Sequence, residues 1–419
     1  MNKIEKDIYK ICHNAKKASY NVIDISTSTK NAILKDVVKL LKKNFQIILE
    51  ANKKDLQQAK KNNLDNAKID RLMLDESRIN NIIKTIQDII KLPDPVNKIL
   101  YQTKRDNGLA IKRVATPIGV LLAIYESRPN VTADISALAI KSGNVVILKC
   151  GFESINTSSV IADIFRQAIV KNKVDINFVN FLSFNNRDLI YKILKLNNFI
   201  DVVIPRGGKS LIKSISENSA IPLFMHLDGN CHTYIHNKAN FDKARKILIN
   251  AKMRRVGICG ATESLLIDKK IAKKIIPLIT DDLSLLKCEI RGDKDSIIID
   301  KRIKLASEQD YYTEYLDKII SIKIVNDLNH AIEHITKYGS SHTESIITED
   351  KKSAKIFLTK VNSAIVMHNA STQFADGGEF GFGSEVGIAT GKLHARGPVG
   401  LEQLTTFKYV VESDFAIRK

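Results

Sequence analysis

From Pro117 onward the chain alternates short, almost wholly apolar runs with amphipathic segments, and this alternation limits the fold more than any other feature. Gly119-Val-Leu-Leu-Ala-Ile-Tyr125 and Val145-Val-Ile-Leu-Lys149 are runs of this kind. Strands so apolar are covered on both faces, as in parallel sheets. Residues 131 to 141 lie between them and read as a helix. The order then repeats: a helix over Ser158 to Val170, a strand over Phe178 to Leu182, and a helix over Asp188 to Leu196. A strand over Ile200 to Ile204 and a helix over Lys209 to Asn218 follow. Repeated alternation specifies a sheet with helices on both faces. A second α/β section runs from about 230 to 365.

The flanks differ. Residues 1 to about 92 read as helical throughout. Ile33, Leu34, Val37, Val38, Leu40 and Leu41 form one apolar face, and Ile79, Ile82, Ile83, Ile86, Ile89 and Ile90 form another. Pro93 and Pro95 end that region. Ile99 to Val114 then gives two strand-like runs around Asp106-Asn107-Gly108, a hairpin turn signal. A two-stranded ribbon is marginal alone, so it must pack on something, such as a neighbouring subunit. Near the other end, 8 of the 19 glycines fall between Gly377 and Gly400. Glycine at that density suggests a surface approached closely by ligand or backbone. At 419 residues, two or three domains are expected.

Net charge is +19, yet the basic residues are spread along the chain and aromatics make up only 6%. A nucleic-acid-binding protein would cluster its basic residues with interleaved aromatics, so that class is disfavoured. An anionic small substrate would benefit from the same field. Five cysteines, widely spaced and with no Cys-x-x-Cys pair, argue against a disulfide framework and for a reducing compartment. No apolar run approaches the ~20 residues of a membrane helix, and the first 25 residues contain no signal-peptide core. A cytoplasmic protein without membrane contact is expected.

Four segments carry candidate chemistry. Cys259 lies between Gly257 and Gly260, just after Arg254 and Arg255. Nearby positive charge favours the thiolate, and the helical spacing before it and the apolar run after it place it in a helix-to-strand loop. A buried, inert cysteine is the competing reading. Pro205-Arg206-Gly207-Gly208-Lys209 joins a strand to a helix and suits a phosphate, although an ordinary strand-to-helix turn would look the same. Tyr125-Glu-Ser-Arg-Pro-Asn130 offers the Asn130 amide at a strand's carboxyl end, against a turn-and-cap cluster. His226-Leu-Asp-Gly-Asn-Cys-His232 and His236 suggest metal at first sight, but no well-spaced second pair follows. No metal site is expected. Cys231 and His232 form a rival nucleophile and base, but neighbours on an extended segment face opposite ways.

Taken in order, these segments resemble gamma-glutamyl phosphate reductases. The matches include Tyr125 to Asp134, Pro205 to Lys209, His226 to His232, Tyr338-Gly-Ser-Ser-His-Thr-Glu344, Asp376-Gly-Gly-Glu-Phe-Gly-Phe-Gly383 and Lys392-Leu-His-Ala-Arg-Gly-Pro398. That family lies within the aldehyde dehydrogenase superfamily. The resemblance implies an α/β, aldehyde dehydrogenase-like architecture in three parts. A Rossmann-like cofactor domain would span 1–98 and 118–228, and an α/β catalytic domain 229–385. A β-ribbon oligomerisation element would use 99–117 and 386–419, in a homo-oligomer.

The implied reaction is NADPH-dependent reduction of L-glutamyl 5-phosphate, a small-molecule acyl phosphate, to L-glutamate 5-semialdehyde and phosphate in proline biosynthesis. By position, Cys259 resembles the nucleophile that displaces phosphate to give a thioester, which hydride converts to a thiohemiacetal and then the aldehyde. Asn130 matches the oxyanion-hole Asn, Lys149 the ribose-binding Lys, and Glu314 the Glu that holds the nicotinamide ribose. Pro205 to Lys209 are the further cofactor candidates. Arg128, His226, Arg255 and Arg396 are candidates for substrate binding. Glutamate 5-kinase, which makes the acyl phosphate, is a candidate partner. The chain has Gly260 where many members carry Asn after the nucleophile, Arg254 where they carry Gln, and His226 where hydrolytic aldehyde dehydrogenases carry Glu. A hydrolytic or CoA-acylating aldehyde dehydrogenase is the rival within enzymes.

Overall fold

In a computed structural model, residues 3–418 are described, and they form two compact units. The first comprises the chain up to Met225 with Gly381–Gly387 and the segment from Val399 onward. The second comprises His226–Phe380 with Ile388–Pro398.

The first unit is built on four parallel strands in the order Val179–Phe181, Val145–Cys150, Val120–Tyr125, Val202–Arg206. All twelve residues of the two central strands are buried, as their composition requires. Strand order reverses between Val120–Tyr125 and Val202–Arg206, and parallel sheets bind ligands outside the carboxyl ends of strands at such a reversal. The expected helices are present as Pro129–Ser142, Ile155–Lys171, Arg187–Ile193 and Lys209–Asn218. The third is shorter than its apolar spacing suggested. Its carboxyl end passes into turns, with Leu196 N–H donating to the Ile193 carbonyl (2.9 Å).

Five helices, Lys3–Asn21, Thr27–Lys43, Phe45–Lys61, Asn66–Leu72 and Glu76–Lys91, account for the N-terminal region. Ile79, Ile82, Ile83, Ile86 and Ile89 are all buried along the last of them. Polar ties fix this layer to the sheet. The buried Asp55 carboxylate accepts from the N–H groups of Asn156 (3.2 Å) and Thr157 (2.8 Å) and from both their side chains (2.8 and 2.5 Å). It thereby satisfies donors at the start of the helix that follows the Lys149 strand.

The hairpin forms as Ile99–Lys104 and Ala110–Pro117, closed by the Arg105 N–H donating to the Leu109 carbonyl (2.8 Å). Thr405–Glu412 adds a third antiparallel strand alongside Ala110–Pro117. Tyr101, Phe407, Tyr409 and Val411 remain exposed on this ribbon, Tyr409 by 62%. The ribbon clusters with the first unit.

The second unit holds seven parallel strands in the order Lys304–Leu305, Glu289–Gly292, Ile319–Val325, Thr262–Asp268, Cys231–Ile235, Thr343–Ile347, Ile365–His368. Alternation along the strands divides its core. Leu265 and Ile267 join a cluster with Leu248, Ile275 and Ile279, whereas Leu266 joins Tyr234, Ile335, Ile346 and Phe357. Helices Phe241–Met253 and Lys269–Leu285 supply the first cluster, and Leu328–Tyr338 and Lys351–Lys360 the second. The central strands place their ends where the Cys259 loop and the His226–Asn230 segment enter the sheet.

Candidate active site

The loop between Phe241–Met253 and Thr262–Asp268 carries Cys259. Cys259 is half-buried, whereas Cys12, Cys150, Cys231 and Cys288 are buried. Burial disfavours a thiolate. It pushes Cys12 up to about 12, Cys150 and Cys288 up to about 11, and Cys231 well above the usual thiol range. Cys259 is therefore the one thiol of the five that solvent and small molecules can reach.

Its loop is braced from both sides. The Gln373 amide donates to the carbonyls of Ala251 (2.9 Å) and Arg255 (3.3 Å) and accepts from Arg254 (3.2 Å). Lys252 and Glu263 bracket the loop, and their fully buried side chains meet at 2.5 Å. Burial pushes Glu263 up to about 7 against the opposing pull of Lys252. Removing one partner of such a pair strands a buried charge, at a cost of ~3–5 kcal/mol. Glu263 also accepts from the Leu316 N–H (3.3 Å), which ties in the segment carrying Glu314.

The His226–Asn230 segment packs directly on the nucleophile loop. A Cβ at Gly229 would lie 2.2 Å from the Cys259 carbonyl oxygen and 2.7 Å from its Cα. Only glycine fits there. Cys231 donates its S–H to the same carbonyl (3.0 Å), whereas His232 faces the other way and pairs with buried Glu344 (3.0 Å). The rival Cys231–His232 pair is thus split by the strand, and both members are structural. His226 donates from Nδ1 to the Ile388 carbonyl (2.6 Å), and its ring stands edge-on to His342, with centroids 5.1 Å apart. One ligand atom from each of His226, Cys259 and His342 lies within 4.8 Å of the others.

In the first unit, the strand ends gather Arg128, Asn130, Lys149 and the Pro205–Lys209 turn. Ser127 is held at φ 43° because Glu153 accepts from both its N–H and its hydroxyl (2.8 Å each). A non-glycine residue there costs ~1–3 kcal/mol, strain that clusters at functional turns. This turn launches Pro129–Ser142, with Arg128 as its cap residue and Asn130 in its first turn. Asn130 donates to Asp134 one turn on (3.1 Å), which orients its amide, and burial pushes Asp134 up to about 6. Lys149 is buried, donates to the Cys150 carbonyl and lies 5.2 Å over the Phe184 ring; burial draws its pKa down. A cleft of ≈260 Å³ is lined by Lys149, Glu126, Asn185, Arg187 and Ser210, among others.

The Pro205–Lys209 turn is held by a carboxylate of the protein itself. Gly208 caps the helix Lys209–Asn218, and its N–H donates to the Glu126 carboxylate (2.9 Å). A Cβ at Gly207 would lie 2.6 Å from that carboxylate. The turn's glycines thus make room for the Glu126 carboxylate.

The basic substrate candidates differ in their surroundings. Arg255 is exposed in the Cys259 loop. Arg396 is engaged with Asn362, donating to its side-chain oxygen (2.8 Å) and its carbonyl (2.6 Å). That contact anchors the Gly397–Pro398 strand. Sequence reasoning assigned no role to Gln373, Lys252, Glu263 or Asp134. Their partners lie 4 to 122 residues away, and no local pattern marks the longer separations.

Residues 2–299 match the model of the aldehyde dehydrogenase family, and the chain belongs to that family. The gamma-glutamyl phosphate reductase of Erythrobacter litoralis is 47% identical over 405 residues, covering 97% of this chain and 96% of that protein. That of Nautilia profundicola is 46% identical over 410 residues, covering 98% and 99%. The crystal structure of gamma-glutamyl phosphate reductase from Thermotoga maritima matches with a TM-score of 0.96 at 39% identity, covering 98% of this chain and 99% of that one. Within the family, the chain stands in the gamma-glutamyl phosphate reductase branch. The family's members are oxidoreductases that use a nicotinamide cofactor. Among the described residues, no helix is long and apolar enough to cross a membrane.

Native alkylation checks the geometry. Iodoacetamide at neutral pH should modify Cys259 first and leave the other four cysteines untouched until the chain unfolds. Peptide mass mapping that finds Cys231 labelled at a comparable rate would contradict the burial described.

Proposed function

We propose that the chain reduces L-glutamyl 5-phosphate to L-glutamate 5-semialdehyde, releasing phosphate, with NADPH as the cofactor. The observation that carries this reading is the accessible Cys259 thiol in a braced loop, the other four thiols being buried. Its close relatives, named for that substrate, supply the reaction class.

In this reading the Cys259 thiolate attacks the acyl carbon, the C–O bond to phosphate breaks, and phosphate leaves with the electron pair. The product is a thioester on Cys259, which divides one difficult displacement into two easier steps. Asn130 takes the oxyanion role that the resemblance assigns to it, with its amide held by Asp134. When bound, the nicotinamide cofactor supplies the hydride that completes the reduction. Lys149 and Glu314 take the ribose contacts that the resemblance assigns to them. The cleft fits such a cofactor because it opens at the carboxyl ends of parallel strands and offers cations beside polar groups. Arg187, with Lys149, supports NADPH over NADH by adding positive charge for an extra phosphate. His226 stands close to the thiol, at the position where hydrolytic aldehyde dehydrogenases carry Glu.

The reaction is conveniently run backwards. Glutamate semialdehyde should reduce NADP only when phosphate is present, and Cys259→Ala should bring the rate to background while Cys231→Ala keeps most of it. Reduction that proceeds with water alone, or with coenzyme A in place of phosphate, would favour a hydrolytic or CoA-acylating enzyme instead.

The ribbon of Ile99–Lys104, Ala110–Pro117 and Thr405–Glu412 is proposed as the contact between copies, because its exposed aromatics need cover. Cytoplasmic location is part of the same proposal. Tyr409→Glu should lower the mass seen by sedimentation, and an unchanged mass would refute the contact.

A further inference from the structure

We propose that His226, Cys259 and His342 form a zinc-binding site that closes on the nucleophile and holds the enzyme in a reversible inactive state. The donor atoms of the three residues lie within 4.8 Å of one another, all in the second unit. Tetrahedral zinc with two imidazoles and one thiolate has Zn–N bonds of ~2.0–2.1 Å and a Zn–S bond of ~2.3 Å, which sets donor separations at ~3.3–3.6 Å. Small side-chain rotations of a half-buried Cys259 and a half-buried His226 span that difference.

The surroundings already select the tautomer that a metal needs at His226. A carbonyl oxygen can only accept, so the 2.6 Å contact with Ile388 places the His226 proton on Nδ1 and the lone pair on Nε2. His342 meets groups that suit either tautomer. Its Nδ1 lies 2.9 Å from the Thr343 hydroxyl and 3.5 Å from the Cys231 sulfur, whose own hydrogen goes to the Cys259 carbonyl. The Thr343 hydroxyl can donate or accept, so His342 can take the Nδ1–H tautomer that leaves the Nε2 lone pair to a metal. Ligating histidines are typically oriented by such a bond on the other ring nitrogen. Three protein ligands leave a fourth position for water, as in open zinc sites.

Binding balances simply. The Cys259 S–H gives its proton to solvent as the S–Zn bond forms, the imidazoles bind as neutral donors, and no electron moves. A thiolate committed to zinc cannot attack an acyl carbon, so occupancy and turnover exclude each other. Only the inhibitory consequence rests on the proposed function, because metal binding by these side chains does not require that reading.

Cobalt(II) tests the site without turnover, since a Co–thiolate bond gives a charge-transfer band in the near ultraviolet and tetrahedral coordination gives intense visible bands. The intact protein titrated with Co²⁺ should show both, and Zn²⁺ should displace them. Cys259→Ser should abolish the charge-transfer band, and His226→Asn and His342→Gln should each weaken Co²⁺ binding by more than the ~10–100-fold that loss of an outer-shell partner produces. Absence of the band in the intact protein, its persistence in Cys259→Ser, or unchanged affinity in either histidine variant would overturn the proposal. Should a variant fail to fold, protection decides. Zn²⁺ should shield Cys259 of the intact protein from iodoacetamide, with EDTA restoring reactivity, and unshielded alkylation would reject the site.

Discussion

Gly229 lies against the backbone of Cys259 so closely that no side chain could stand between them. Much of the second unit's chemistry depends on that contact. The His226–Asn230 segment leads directly into the strand Cys231–Ile235, so the contact sets where His226 projects. It also places the Cys231 thiol on the Cys259 carbonyl, which spends its hydrogen and leaves one reactive sulfur in the site. Dispersion and exclusion thereby do the positioning, and the chemistry-bearing thiol stays half-exposed at the end of a sheet whose strands are buried.

Charge is used sparingly and at the loop margins. The buried Lys252–Glu263 pair closes the base of the nucleophile loop, and the Gln373 amide braces its length. The first unit applies the same method, with Asp55 holding the start of Ile155–Lys171 and Glu153 holding the strained Ser127 before Asn130. Preorganisation of this kind matters because a catalytic donor displaced by even 1 Å can lose about 10²-fold in rate. The +19 net charge adds a field that favours the approach of anions.

The strands of the first sheet were legible because parallel strands buried on two faces must be apolar throughout, and Val120–Tyr125 and Val145–Cys150 are. The Cys259 loop could be read from glycine spacing and the change in periodicity around it. Other parts had no local signal. His342 stands beside His226 only because Thr343–Ile347 pairs with Cys231–Ile235, 112 residues away at the Glu344–His232 contact. The spacing around His226 therefore carries no sign of that neighbour. The Pro205–Lys209 turn was read from its residue types, but the carboxylate that occupies Gly208 comes from Glu126, at the end of a neighbouring strand. Sequence pattern gives each strand its place in a layer; the neighbours across the layer come from pairing.

The central claim is that Cys259 carries the acyl group between the two halves of the reaction. Intact-protein mass spectrometry after brief mixing with L-glutamyl 5-phosphate, with no nicotinamide cofactor present, tests it most directly. The account predicts a glutamyl adduct on the chain, mapped to Cys259 after acid quenching and digestion, that disappears when NADPH is added. An adduct on another residue, or turnover by a chain that never accumulates acyl-Cys259 under these conditions, would contradict it.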